Sequence, residues 1–192
     1  MKTKAIIFNT TADSLVDVKE ALGHSQYQVI ADSSCLSDVT RAVFNGSVEL
    51  VIAVTDKRFD PLFAAVGQIV KQHAVPIVVF TYDDSRDVIQ LAIKTGVAAY
   101  IVDGLQANRV VSILDTACLR FNEQQRLLSE LNKTKESLLE RKLIEKAKGI
   151  LMKRSAQDEN SVYQSMRRAA MNKNIKLADL AKSIIDSHEL MA

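Results

Sequence analysis

Basic side chains are concentrated in the carboxyl-terminal third of the chain, where their chemistry would be the binding of a polyanion. Residues 133–182 carry 13 Lys and Arg against 6 Asp and Glu, whereas residues 1–132 carry 12 basic and 15 acidic residues. A basic segment on an otherwise mildly acidic chain favours a polyanionic partner that binds at one end of the molecule. The alternative is an ordinary solvated helix surface, and the charge count alone does not separate the two.

Gly149 lies in the middle of this basic segment. Helical spacing places it on one face with Lys142, Lys146 and Lys153, opposite an apolar stripe. A glycine inside a helix costs about 1 kcal/mol relative to alanine, so another group is expected to approach this backbone closely. That group is either a phosphate strand or a neighbouring helix. Tyr163, on the next predicted helix, either stacks on a nucleic-acid base or belongs to the core.

No pattern in the chain predicts catalysis. His24, His73 and His188 have no adjacent nucleophile or metal-ligand spacing, and the glycines form no phosphate-cradling loop. Cys35 and Cys118 lie far apart, and both fit ordinary buried positions in a reducing cytosol. We therefore expect a protein that is not an enzyme and that holds no metal and no cofactor.

Short apolar runs alternate with amphipathic segments of helical length through the first 105 residues. The runs are rich in Val and Ile and several are continuous, which is typical of strands covered on both faces of a parallel sheet. This pattern predicts a doubly wound α/β fold. The five predicted strands are residues 5–8, 28–31, 50–54, 77–80 and 98–102.

A long helix is predicted from Gln106 to about Arg154, because this stretch has no proline and a single glycine. Its apolar residues alternate spacings of four and three, as in a coiled coil. We interpret this stripe as the seam of a homodimer; the alternative is that it folds back on its own domain. The residues assigned to the seam are Leu114, Phe121, Leu128, Leu131 and Leu138.

A small helical domain follows the long helix. Asp158 is expected to cap one helix, and the segment 172–174 to separate it from a last helix, which makes a three-helix bundle with the end of the long helix. The predicted organisation is thus an α/β domain at 1–120, a coiled-coil linker helix at 106–140 and a basic helical domain at 138–192. No apolar run approaches the roughly 18 residues of a membrane helix, and the first apolar run is too short for a signal peptide, so a cytoplasmic protein is expected.

The first domain resembles the receiver domains of response regulators, which are of the flavodoxin-like fold. That resemblance implies an acidic pair after the first strand, an acceptor aspartate ending the third, a hydroxyl ending the fourth and a lysine ending the fifth. Asn9 and Thr10 stand at the acidic pair, Val54 at the acceptor, Thr81 at the hydroxyl and Asp103 at the lysine. Three of these four functional positions have lost the required residue type, so a pseudo-receiver that cannot be phosphorylated is expected. Asp56, two residues after the acceptor position, would be a poor substitute for the acceptor aspartate.

The basic domain resembles the ANTAR family of RNA-binding antiterminators. The resemblance covers residues 138–185, and its most specific part is the string Ala147-Lys-Gly-Ile-Leu-Met152. It implies an RNA-binding surface in this domain. The residues assigned to that surface, with Arg167 the strongest, are Lys146, Lys148, Gly149, Lys153, Arg154, Tyr163, Arg167, Arg168 and Lys173.

The combination of pseudo-receiver, long helix and ANTAR module is similar to that of nitrate-assimilation antiterminators, with amidase-type regulators as the nearest alternative. The resemblance implies a homodimer that binds paired hairpins in leader mRNA, and a nitrate-sensing, periplasmic-binding-protein-like partner that sequesters it. The RNA polymerase complex would be a further partner. A phosphorylated DNA-binding response regulator and a protein scaffold are the rival functions; Val54 and the lack of a clear recognition helix argue against the first.

Overall fold

The computed structural model describes residues 2–10, 14–23, 25–56, 60–103, 106–155 and 158–190. The chain divides into two compact units, Met1–Gln125 and Arg126–Ala192. Among the described residues, no helix combines the length and the apolar character needed to cross a membrane.

The first unit contains a parallel sheet of five strands. Two of the three inner strands, β3 (Leu50–Thr55) and β4 (Ile77–Thr81), are buried at every residue, because helices cover both faces of the sheet there. The strand order is β2-β1-β3-β4-β5, which leaves β2 and β5 as edges. The strands are β1 (Thr3–Asn9), β2 (Tyr27–Ser33), β3 (Leu50–Thr55), β4 (Ile77–Thr81) and β5 (Ala99–Val102).

Helices lie on both faces of this sheet. Helices α1 and α5 pack on one face through residues such as Val18 and Leu114, whereas α2 and α3 pack on the other through residues such as Val39 and Val66. The helices are α1 (Ser14–Leu22), α2 (Leu36–Phe44), α3 (Asp60–Gln72), α4 (Arg86–Thr95) and α5 (Ala107–Ser155). The predicted fold class, a doubly wound receiver-like sheet followed by a long helix and shorter helices, is confirmed.

The apolar stripe of α5 has two environments. Leu114 is fully buried in the core of the first unit and Phe121 is only 6% exposed, so neither side chain is available to a second chain. The structure therefore removes these two residues from the predicted dimer seam. Leu128, Leu131 and Leu138 are 44%, 48% and 53% exposed, and they remain candidates for it.

The two cysteines differ in exposure. Cys118 is partly buried, and burial raises the pKa of its thiol. Cys35 is exposed just before α2, and a hydrogen bond with the Ser37 hydroxyl, 3.0 Å from its sulfur, lowers the pKa of its thiol. The expectation that both cysteines are buried is wrong for Cys35, because the end of β2 and the start of α2 lie at the surface.

The second unit consists of the last part of α5 with α6 (Glu159–Lys173) and α7 (Leu177–Glu189). Its core contains Ala147 from α5, Met166 from α6 and Ala181 from α7, all nearly inaccessible to solvent. The side chain of Asp158 caps α6 by accepting a hydrogen bond from the Ser161 N–H at 3.2 Å, as predicted. Helix α6 ends at Asn174 in the left-handed conformation, with φ of 52°.

Candidate nucleic-acid interface

One strip of α5 in the second unit carries Lys142, Lys146, Gly149 and Lys153. At 100° per residue these four positions lie within about 60° of one another, and Ala147, which is buried in the core, lies on the opposite side of the helix. The three lysines are exposed. Lys142 and Lys153 have no ion-pair partner within the described parts of the chain, so their charge is available to an external anion.

Gly149 has open space where a side chain would be. A Cβ placed on it would have no atom of the described structure within 4 Å, apart from its own helical backbone and its two chain neighbours. The close packing of a neighbouring helix, which the sequence left open, is therefore not found among the described residues. A mid-helix glycine still costs about 1 kcal/mol relative to alanine, and no packing contact from the described residues at this position offsets that cost.

Lys148, unlike Lys142 and Lys153, is not available to bind an external anion. Its side chain is only 9% exposed, and its Nζ lies 2.8 Å from Glu145 Oε1 and 2.7 Å from Glu159 Oε1. The hydrogen bond to Glu145, and next in size the hydrogen bond to Glu159, raises the pKa of this ammonium group. Two carboxylates already neutralise it, so the structure argues against Lys148 as a phosphate contact. The spacing of three residues from Glu145 could have signalled one of these pairs, whereas Glu159 belongs to the next helix.

Lys146 is exposed but has an intramolecular partner. Its Nζ lies 2.8 Å from Glu189 Oε1 at the end of α7, and this bond lowers the pKa of the Glu189 carboxyl. Both side chains are more than half exposed, and such pairs contribute little to stability. An incoming phosphate could therefore take the lysine from Glu189, although Lys146 is a weaker candidate than Lys153.

Helix α6 presents a second group of the predicted residues. Arg167, Arg168 and Lys173 are exposed and have no ion-pair partner in the described residues. Tyr163 is half-buried, one turn before Arg167, and the Lys148 Nζ lies 5.9 Å from the centre of its ring. Part of the Tyr163 ring thus remains accessible for stacking. Arg154, at the end of α5, is also exposed.

The receiver-type positions meet at the carboxyl edge of the sheet in the first unit. Asn9 pairs with Val54 across β1 and β3, and the Thr10 N–H donates to the Val54 carbonyl at 3.1 Å. Thr81 ends β4, where its hydroxyl accepts a hydrogen bond from the Asp83 N–H at 3.1 Å. Asp103 follows β5 in the left-handed conformation and is exposed.

The chemistry of this edge differs from that of a phosphoryl acceptor site. Val54 is a hydrocarbon side chain, 4% exposed and packed in the core, so it offers no oxygen for phosphoryl transfer. In the described parts of the chain, no three His, Cys, Asp or Glu residues come together in a way that could hold a metal ion. Asp56 is exposed beyond the end of β3.

Comparisons with known proteins give matches in both units of the chain. The family described as the ANTAR domain matches residues 132–185. The transcriptional regulatory protein PdtaR of Mycobacterium tuberculosis (strain CDC 1551 / Oshkosh) is 27% identical over 173 residues, which cover 90% of this chain and 84% of that protein. The nitrate regulatory protein of Klebsiella oxytoca is 39% identical over 64 residues, which cover 33% of this chain and 16% of that protein.

Solved structures show the fold of the first unit. A response regulator from Thermotoga maritima superposes with a TM-score of 0.55 at 13% identity, covering 62% of this chain and 98% of that one. At this identity the likeness establishes the fold alone. Residues 132–185 thus match the ANTAR domain, and the first unit has the fold of a response-regulator receiver domain.

Proposed function

We propose that this chain is a cytoplasmic transcription antitermination regulator whose ANTAR unit binds paired hairpins in leader mRNA as a homodimer. The observation that carries the RNA-binding part is the exposed charge on two helices of this unit that has no ion-pair partner among the described residues: Lys142 and Lys153 on α5, and Arg167, Arg168 and Lys173 on α6. Flexible cationic side chains on an open surface suit the irregular phosphate backbone of an RNA hairpin.

Homodimerisation is proposed through the exposed leucines of α5. Leu128, Leu131 and Leu138 keep the heptad spacing and are about half exposed. Leu127 and Leu139 flank them and are also exposed, which widens the apolar surface. Two ANTAR units joined by such a seam would engage two hairpins at once, so the affinity would exceed that of either unit alone.

Control by a partner protein, in place of phosphorylation, is proposed for the first unit. Val54 at the acceptor position has no group that can take a phosphoryl, and Asp103 stands where receivers have a lysine. The similarity to a nitrate regulatory protein supports leader RNAs of nitrate or nitrite assimilation genes as targets, and a nitrate-sensing, periplasmic-binding-protein-like protein as the sequestering partner.

A salt titration of RNA binding tests the proposal. The wild-type chain should bind a two-hairpin leader transcript more tightly than a scrambled transcript, with affinity falling steeply as salt increases. Arg167→Ala should weaken this binding and flatten the salt dependence by about 0.7 log units per tenfold salt for each lost contact. Arg86→Ala, on α4 of the first unit, is the matched control and should change neither quantity.

Circular dichroism would establish that the Arg167 variant is folded, as expected for an exposed side chain. A folded Arg167→Ala protein with wild-type affinity and wild-type salt slope would move the RNA surface away from α6. Equal binding of the leader and scrambled transcripts by the wild type would contradict hairpin recognition altogether.

A further inference from the structure

The first unit contains an open cleft of about 560 Å³ at the amino-terminal edge of its sheet, opposite the receiver-type positions. The segments that lead into β1, β2, β3 and β4 form one side, and α5 forms the other. This volume falls in the range of small-molecule sites, roughly 300–1,000 Å³. The cleft is lined by Thr3, Gln26, Tyr27, Val48, Glu49, Ala74, Val75, Pro76, Asp115, Cys118, Leu119 and Asn122.

Asp115 is held in a fixed orientation on the α5 side of this cleft. Its Oδ1 accepts two hydrogen bonds, one from the Tyr27 hydroxyl and one from the Gln26 amide, both 2.6 Å long. Tyr27 is only 4% exposed. Its burial, and to a smaller extent its hydrogen bond to Asp115, raises the pKa of its hydroxyl. The hydroxyl therefore stays protonated and continues to donate to Asp115. The other oxygen, Oδ2, accepts no hydrogen bond from any described residue.

Glu49 supplies a second carboxylate on the strand side. One of its oxygens, Oε2, accepts a hydrogen bond from the Lys4 backbone N–H at 3.0 Å, which fixes the side chain near the start of β3. The lining residues include no Lys, Arg or His, so two negative charges face the cleft without a basic side chain among them. Apolar surface from Val75, Pro76 and Leu119 lies within the same lining.

The residues that line the cleft favour a positively charged ligand. Two uncompensated carboxylates repel an anion such as nitrate and attract a cation. An ammonium group has only hydrogen-bond donors, which matches a carboxylate with a vacant oxygen, and a short hydrocarbon chain would cover the apolar side chains. A hard metal ion would need more oxygen ligands than two carboxylates provide.

We infer that this cleft binds a small aliphatic amine with two or more ammonium groups, one donating to Asp115 Oδ2 and another to Glu49. The bound amine would contact α5 and the strand starts together, and it would thereby stabilise the packing of α5 on the sheet. This site is independent of the RNA-binding surface proposed for the second unit.

Isothermal titration calorimetry of the full chain at low ionic strength tests the inference, with 1,4-diaminobutane as the probe. Its neutral counterpart 1,4-butanediol has the same chain length and should give no saturable binding. Asp115→Asn keeps an acceptor for Tyr27 and Gln26 but removes the charge, and Glu49→Gln does the same on the other side. Each should weaken diamine binding about tenfold or more, the usual value of a hydrogen bond to a charged group.

Asp84→Asn is the matched control, because Asp84 is exposed in the first unit and does not line the cleft. It should leave the affinity unchanged, and backbone amide shifts in the NMR spectrum of the wild type should move at Gln26, Tyr27 and Val75. Unsaturable binding to the wild type, equal affinity in Asp115→Asn, or an equal loss in Asp84→Asn would each overturn the inference. The last result would mean that the diamine responds only to overall charge.

Discussion

Replacing Gly149 with alanine should change stability and RNA binding in opposite directions. The position lies inside α5, six residues before the helix ends at Ser155. Alanine is favoured over glycine in a helix interior by about 1 kcal/mol. No described atom outside the local backbone lies within 4 Å of the new methyl group, so no clash reduces this gain. For a unit of this size, a gain of about 1 kcal/mol raises the melting temperature by roughly 4–8 °C.

The effect on RNA follows if the open space over Gly149 is filled by a phosphate strand. A methyl group there would hold the strand away from the helix and lengthen its contacts with Lys142 and Lys153. Weakening one charge-assisted contact by about 1.4 kcal/mol corresponds to a tenfold loss of affinity. We therefore expect Gly149→Ala to be more stable than the wild type and to bind a two-hairpin leader transcript about ten times more weakly.

Gly67→Ala provides a matched control from the same chain. Gly67 also lies inside a helix, α3 of the first unit, and a Cβ there would likewise have no described atom outside the local backbone within 4 Å. It should give a similar stabilisation and leave RNA affinity unchanged. Thermal unfolding by circular dichroism and filter binding at fixed salt measure the two quantities. A stabilised Gly149→Ala protein with wild-type RNA affinity would refute the close approach of RNA at this position.

Three further results are expected. Acetyl phosphate with magnesium should add no phosphoryl group, because Val54 offers no acceptor oxygen; a stoichiometric mass increase in intact-mass spectrometry would contradict this. Replacing Leu128 and Leu131 together with glutamate should give a folded monomer by light scattering that binds paired hairpins poorly, whereas Leu119→Glu, at an exposed position outside the seam, should remain dimeric. Lys148 has a raised pKa, so the stability from its ion pairs is complete below the ordinary lysine pKa and is lost as pH rises through the raised value. Lys148→Met should therefore unfold at lower urea than the wild type at neutral pH, with the difference shrinking at strongly alkaline pH; a constant difference would show that the charge is not the cause.

The fold class was predictable because it depends on local patterns that repeat along the chain. Continuous Val- and Ile-rich runs, such as those that became β3 and β4, are compatible with burial on both faces and with little else. The cap at Asp158 and the helix break at Asn174 were equally local, because each depends on the chemistry of a few neighbouring residues. The ANTAR domain was recognisable for the same reason, since its most specific signal is one short string within a single helix.

The sequence could not assign a partner to each surface that it predicted. Leu114 and Leu128 occupy equivalent heptad positions of α5, yet the first is buried in its own unit and the second is exposed. An apolar stripe shows that a helix face will be covered, but not by what, because the covering atoms are distant in sequence. The same holds for Lys148, whose bond to Glu159 joins two helices across a loop.

The amino-acid sequence by itself thus determined the architecture, the basic module that matches the ANTAR domain and the hydrocarbon side chain of Val54 at the end of β3, all of which follow from residue type and spacing. Only the tertiary structure decided which basic residues are free, that Gly149 faces open space, and that Asp115, Tyr27 and Glu49 meet at one cleft. The physical reason is that exposure, ion pairing and cavities depend on distances between residues far apart in the chain. Such distances are set by how whole helices and strands pack, and no local pattern records them.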